Sequence, residues 1–299
     1  MPTFIIPGAA RAGTTTLWYC LDQHPDILMS KPKEPKVFVR KRENKINLKL
    51  YNKVFDDYAG EKAIGEASVN YMISSDETIE TIYEHIPDVK IIFSLRDPMK
   101  RAVSHYWHRI NERRYRGSLE ELITQKGLNN FPVYYSLYNT HIQRFLKLFP
   151  RENIYISILE ELNQDWDESF SEIFRFLNVD DNFRAIKHTS INRAYTRRSY
   201  PLNRFVRKML RGYRYKKLIP QPIRDVGKAV TSKILKLNQK PFQAPPISPD
   251  VERELAEVFI PEIEGIEKLI GREITVWPTK HVLDITAVQN KFSQKKRSL

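Results

Sequence analysis

The chain has one cysteine, Cys20, in 299 residues. That excludes an intramolecular disulfide and a cysteine-based metal site. Cys20 lies beside Leu17 and Leu21 in a helical stretch, where a free cysteine acts as a small packing residue. No apolar run reaches about 18 residues, so no transmembrane helix is expected. A glycine-containing loop begins at Gly8 and leaves no room for a signal peptide before it, so the expected location is cytoplasmic. Acidic residues are outnumbered, 36 against 49 Lys and Arg, for a net charge of +13. The imbalance is concentrated between Arg204 and Lys240, where twelve basic residues face one acid, Asp225, a local charge of +11. Such a surplus favours anionic partners and says nothing about fold.

Hydrophobic residues make up 41% of the chain, enough for a substantial core. Four short apolar runs read as buried strands: FIIP at 4–7, KAIGEA at 62–67, KIIFSL at 90–95 and NIYISIL at 153–159. Helical patterns fall between them, at 14–23, at 76–87 with Asp76 as a capping residue, at 98–115 and at 133–149. A last helix is expected from about Ser248 to Leu269. This alternation predicts an α/β chain, a central parallel sheet flanked by helices in three layers. We expect one domain over 1–299, with a basic helical cover at about 202–240 and a frayed tail from about 285. Ligands of such sheets sit at the carboxyl ends of the strands.

The first strand runs into GAARAGTTTL, Gly8 to Leu17. Gly8 and Gly13 have the separation of a phosphate-binding P-loop, but Thr14 stands where a nucleotide kinase has lysine. Backbone amides of Ala12, Gly13, Thr14, Thr15 and Thr16 can still cradle a phosphate, and Arg11 supplies a cation from mid-loop. A phosphate ester is expected, rather than the triphosphate of a kinase. After KIIFSL comes Arg96-Asp97-Pro98, in which Asp97 suits an N-cap and Pro98 the first helical position. Arg96 then stands at a strand end, with Ser104 about two turns into the helix. Read alone, Arg96 is better taken as a surface ion-pair residue and Ser104 as a serine bonded to its own helix. Together they suit a second phosphate.

These two segments resemble the sulfotransferases that use 3′-phosphoadenosine 5′-phosphosulfate (PAPS), especially the carbohydrate type with its heparan sulfate and soluble bacterial members. GAARAGTTTL resembles the 5′-phosphosulfate loop, and SLRDPMKRAVSHY the 3′-phosphate segment, with Arg96 and Ser104 at its two ligand positions. KEPKVF at 33–38 resembles the segment bearing the acceptor-side carboxylate, and GEASVNYM at 65–72 the stretch lining the acceptor cleft. The resemblance covers roughly 4–278 and implies sulfuryl transfer to a hydroxyl or amine of a carbohydrate or glycolipid, without a metal. It makes Glu34 the base, Glu66 a second acceptor-side group and Arg11 the cation at the leaving phosphate. Two positions depart from the family pattern. Arg11 replaces a lysine, and an arginine cannot donate a proton at neutral pH. TRRSYP at 196–201 offers Arg198 as a third nucleotide contact but lacks the expected glycine.

RFVRKMLRGYRYKKL carries an apolar stripe against a basic face. It suits a cover packed on the core, an anionic membrane or an acidic acceptor. No nucleic-acid module accompanies it, and no nucleic acid is expected as a partner. Two other readings remain open: a P-loop kinase, disfavoured by the missing lysine and by Arg96 at a strand end, and a non-catalytic polyanion- or membrane-binding module.

Overall fold

The computed structural model describes residues 1–39, 48–112, 117–126, 131–187, 195–199, 201–202, 205–206, 208, 221–241 and 244–283. The chain divides into two compact units, one of residues 1–107, 117–191 and 246–299, the other of 108–116 and 192–245. The tail from about 285 lies outside the described residues, as does most of the segment from Arg204 to Pro220.

The first unit is built on five parallel strands, β1 (Phe4–Gly8), β2 (Ile27–Met29), β3 (Ala63–Glu66), β4 (Lys90–Leu95) and β5 (Ile154–Ile158), in the order β2-β3-β1-β4-β5. β1 is flanked by β3, with Ile5 opposite Glu66, and by β4, with Gly8 opposite Phe93. The three strand ends that carry sequence motifs are therefore neighbours. β2 was not expected; three residues are too few to show a period. Successive side chains of a strand point to opposite faces. Ile5, Ile91, Phe93 and Leu95 join one buried cluster and Phe4, Ile6 and Ile92 the other. Helices cover both clusters, so the P-loop-type three-layer α/β fold is present.

The helices are α1 (Thr14–Leu21), α2 (Leu48–Asn52), α3 (Asp76–His85), α4 (Pro98–Asn111), α5 (Leu119–Lys126), α6 (Phe131–Tyr134), α7 (Tyr138–Leu146), α8 (Leu159–Gln164) and α9 (Trp166–Leu177). In α3 the capping position falls to Ser75, one residue earlier than expected, and the Asp76 carboxylate pairs with Arg144 Nε at 2.6 Å. The helix expected over 133–149 is broken in two. Ser136 sits at the break, and its hydroxyl turns to the Pro98 carbonyl (2.9 Å) and accepts from Arg101 Nε (2.6 Å). Cys20, on the buried face of α1, is fully enclosed, and burial pushes its thiol up to about 12.

In the second unit, α10 (Gln221–Leu237) leads into an antiparallel pair, β6 (Tyr195–Arg197) and β7 (Gln239–Pro241). The Asn238 side chain ties this turn together, accepting from Ser199 N (2.8 Å) and donating to Ser199 O (2.7 Å). α11 (Pro249–Ile270) belongs to the first unit and ends at Gly271, whose φ of 72° closes the helix. No helix among the described residues is long and apolar enough to cross a membrane.

Candidate active site

The loop between β1 and α1 is curled by two left-handed residues, Arg11 (φ 72°) and Gly13 (φ 88°). Glycine adopts that region freely, whereas a non-glycine residue there costs about 1–3 kcal/mol. Gly13 has a second reason to lack a side chain: a Cβ there would lie 2.6 Å from Leu159 Cδ1. Ser94 Oγ donates to Ala12 O at 2.6 Å, and Ala9 N donates to Ser94 O at 2.8 Å, so β4 anchors the loop from the side. The amides of Gly13, Thr14 and Thr15 take no hydrogen bond among the described residues. These are the orphan donors of a helix start, an arrangement suited to an anion. Thr14 is buried, and Thr15 and Thr16 are half-buried at its edge.

At the next strand end, Asp97 caps α4 as expected, accepting from Lys100 N at 2.8 Å. The carboxylate is fully buried and also accepts from Thr279 Oγ1 (2.8 Å) and Thr279 N (3.1 Å). Glu160 bridges Asp97 N (3.2 Å) and Trp277 Nε1 (3.0 Å), and Tyr138 OH donates to Arg96 O (2.9 Å). The backbone at Arg96 is thus held directly by Tyr138 and through its neighbour Asp97. Its guanidinium is half-buried and has no hydrogen bond or ion pair among the described residues. Ser104, on α4, accepts from Arg11 Nε at 3.3 Å. That bond joins the two phosphate-type segments.

Sequence reading missed Arg101. Its side chain is fully buried and donates to Ser136 Oγ (2.6 Å), Ala10 O (3.4 Å) and Pro132 O, with Nη1 3.2 Å from His105 Nδ1. Spacing held a signal: Pro98, Arg101, Ala102 and His105 share the buried face of α4.

Glu34 is part-exposed between two ammonium groups, Lys36 Nζ at 3.0 Å and Lys33 Nζ at 3.5 Å. Lys33 is more enclosed, and desolvation lowers its pKa against the opposing pull of Glu34. Lys36 is left-handed (φ 57°), and its amide donates to Ser68 Oγ at 3.0 Å. Glu66, expected on the acceptor side, is instead fully buried. Its carboxylate accepts from Ser68 Oγ (2.5 Å), Tyr51 OH (2.7 Å) and Tyr71 OH (2.9 Å). Burial raises its pKa, opposed by those three hydroxyls and reinforced by the Glu34 charge. A group reaching this carboxylate would have to displace bonded hydroxyls.

Arg198 lies in the second unit with an exposed side chain, its amide donating to Asn238 O at 2.8 Å. Among the described residues no three His, Cys, Asp or Glu side chains are grouped to hold a metal ion.

The loop after β1 is thus joined to α4 by the Arg11–Ser104 bond. Residues 1–229 match the family model described as a sulfotransferase domain. The chain belongs to the sulfotransferase family. This sulfotransferase is similar in structure to the crystal structure of a sulfotransferase from Alicyclobacillus acidocaldarius. The TM-score is 0.63 and the identity 26%, covering 93% of this chain and 98% of that one. It is 36% identical over 109 residues to the membrane-associated sulfotransferase kil1 of Dictyostelium discoideum, covering 36% of this chain and 22% of that protein. It is 28% identical over 199 residues to the human bifunctional heparan sulfate N-deacetylase/N-sulfotransferase 3, covering 60% of this chain and 22% of that protein. The chain therefore spans about a fifth of the length of these two curated relatives.

Proposed function

We propose that this sulfotransferase moves the sulfuryl group of PAPS to a hydroxyl or amine on a carbohydrate or glycolipid. The observation that carries the reading is the Arg11–Ser104 bond, which sets two anion-gripping segments side by side at adjacent strand ends. A ligand with a phosphate at each end fits that pair. The residues suit such a ligand: the amides of Gly13, Thr14 and Thr15, unpaired among the described residues, for the 5′ end, and the Arg96 guanidinium, likewise without a described partner, with the Ser104 hydroxyl for the 3′ end. When bound, the donor supplies the sulfuryl group, and adenosine 3′,5′-bisphosphate remains.

Three tasks fall to the chain. Arg11 and the loop amides hold and neutralise the phosphate from which the sulfuryl group departs, where charge builds in a loose transition state. Glu34 takes the acceptor proton. Its Lys36 and Lys33 partners hold the carboxylate in place. Glu66, through Ser68 and Tyr71, holds the amides of Lys36 and Phe38 and so fixes the loop that carries Glu34. No metal is assigned a part. Arg198 is proposed as a further nucleotide contact.

Relatives named for heparan sulfate and for carbohydrate sulfation support a sugar acceptor. The basic segment 204–240 and the exposed Val226, Val230 and Leu237 of α10 suit peripheral contact with an anionic membrane, and the relative named as membrane-associated supports this. The deciding experiment is calorimetry with adenosine 3′,5′-bisphosphate and with ATP. Magnesium-independent binding of the bisphosphate is expected; preference for ATP with magnesium would sink the proposal. Labelled PAPS with an acceptor panel then identifies the acceptor.

A further inference from the structure

Arg101 is a guanidinium with no carboxylate partner among the described residues, in a place with no solvent. An unpaired buried charge is costly, and an apolar side chain of similar length would pack there at less cost. Its electrostatic surroundings add to the cost. Burial, and then the neighbouring Arg96 and Arg11 charges, pull its pKa down to about 10, with Tyr138 and Tyr135 opposing. It therefore remains charged at neutral pH.

Its hydrogen bonds show what the charge holds. Arg101 leaves α4, the helix that carries Ser104, and donates to Ala10 O, in the turn just before Arg11. Nε and Nη2 fasten the same fork to Ser136 and Pro132, in the short segment preceding α7. Two links thus cross between the 5′ loop and α4: Arg11 to Ser104 at the surface of the site, and Arg101 to Ala10 beneath it. The upper link uses groups assigned to the ligand itself. The lower one stays buried and is free to act as a fixed support.

We propose that Arg101 is the positioning residue of the donor site, gripping the loop through the Ala10 carbonyl so that Arg11 and the amides after it face the 5′ phosphate. This rests on the PAPS reading above, and it predicts an asymmetry. Losing the grip disturbs the 5′ loop, while Arg96 keeps its own support from Tyr138 OH.

The test measures affinities of adenosine 3′,5′-bisphosphate, adenosine 5′-phosphate and adenosine 3′-phosphate for the wild type, Arg101→Met and Arg101→Lys. Both variants should bind the bisphosphate and the 5′-phosphate roughly tenfold more weakly, with the 3′-phosphate within about twofold of the wild type. Unchanged affinities would overturn the assignment. So would an equal loss on both monophosphates, which would leave only a general field. Full recovery in Arg101→Lys would overturn it too, since charge without the fork would then suffice. If Arg101→Met fails to fold, Arg101→Lys decides alone. A wild type that binds none of the three nucleotides refutes the donor reading itself.

Discussion

Arg11 Nε donates to Ser104 Oγ at 3.3 Å, although the two residues stand 93 positions apart in the chain. The bond places the cation of the β1–α1 loop beside a hydroxyl of α4. A planar guanidinium can do this and still present its other N–H groups to a phosphate. Arg11→Ala should lower kcat by roughly a hundredfold or more, as loss of a cation at a developing charge does. Arg11→Lys should retain most of the rate, because the charge remains. Steady-state kinetics with labelled PAPS checks both; an Arg11→Ala variant of normal kcat would remove Arg11 from the chemistry.

Glu34→Gln keeps shape and removes basicity. Turnover should fall by roughly 10²–10⁴-fold. The affinity for adenosine 3′,5′-bisphosphate should not change, since the side chain is paired with Lys33 and Lys36 and not with the phosphate loop. Retained turnover with the acceptor found by screening would exclude it as the base.

Glu66→Gln puts an NH2 group where a buried carboxylate oxygen accepts a hydroxyl. Tyr51 and Tyr71 can still donate to one oxygen, but Ser68 loses its acceptor. Unfolding in urea should show a loss of about 1–3 kcal/mol. Bisphosphate affinity should hold while kcat falls, because Ser68 also supports the Lys36 amide next to Glu34. A variant with normal kcat would show that the network serves stability alone.

His141 gives the fold a pH dependence. The ring is fully buried, with Nε2 2.8 Å from Tyr134 O and Nδ1 without a hydrogen bond among the described residues. Burial pulls its pKa down to about 4, with the Arg144 and Arg101 charges adding to the pull and the Tyr134 carbonyl opposing it. An unfolded imidazole titrates near 6.5. Above that value both states are neutral and the contribution is fully present. As pH falls from about 6.5 to about 4, the unfolded state takes its proton first and up to ~3 kcal/mol of stability is lost. The difference in unfolding free energy between wild type and His141→Gln should therefore shift across this window. A difference that stays constant with pH would refute it.

Much of the site is legible in the amino-acid sequence. The loop at 8–17, the Asp97 cap and the position of Arg96 follow from local rules, because a strand, a turn and a helix start each need particular residue types at short spacing. Glu66 and Arg101 are different. A glutamate at a strand end reads as a cleft residue until three hydroxyls, from Tyr51, Ser68 and Tyr71, are seen to enclose it. An arginine on a helix reads as solvated until Ser136, far along the chain, is seen to break a helix and accept from it.

The sequence by itself determined the alternation of elements, the central parallel sheet and the two phosphate-type segments, since these depend on periodicity and on a few neighbours in the chain. Only the tertiary structure decided which strand ends are adjacent, which polar side chains lie inside, and that Arg11 meets Ser104. Those outcomes depend on strand order and on burial, which bring together residues tens of positions apart and make an enclosed charge either supported or untenable.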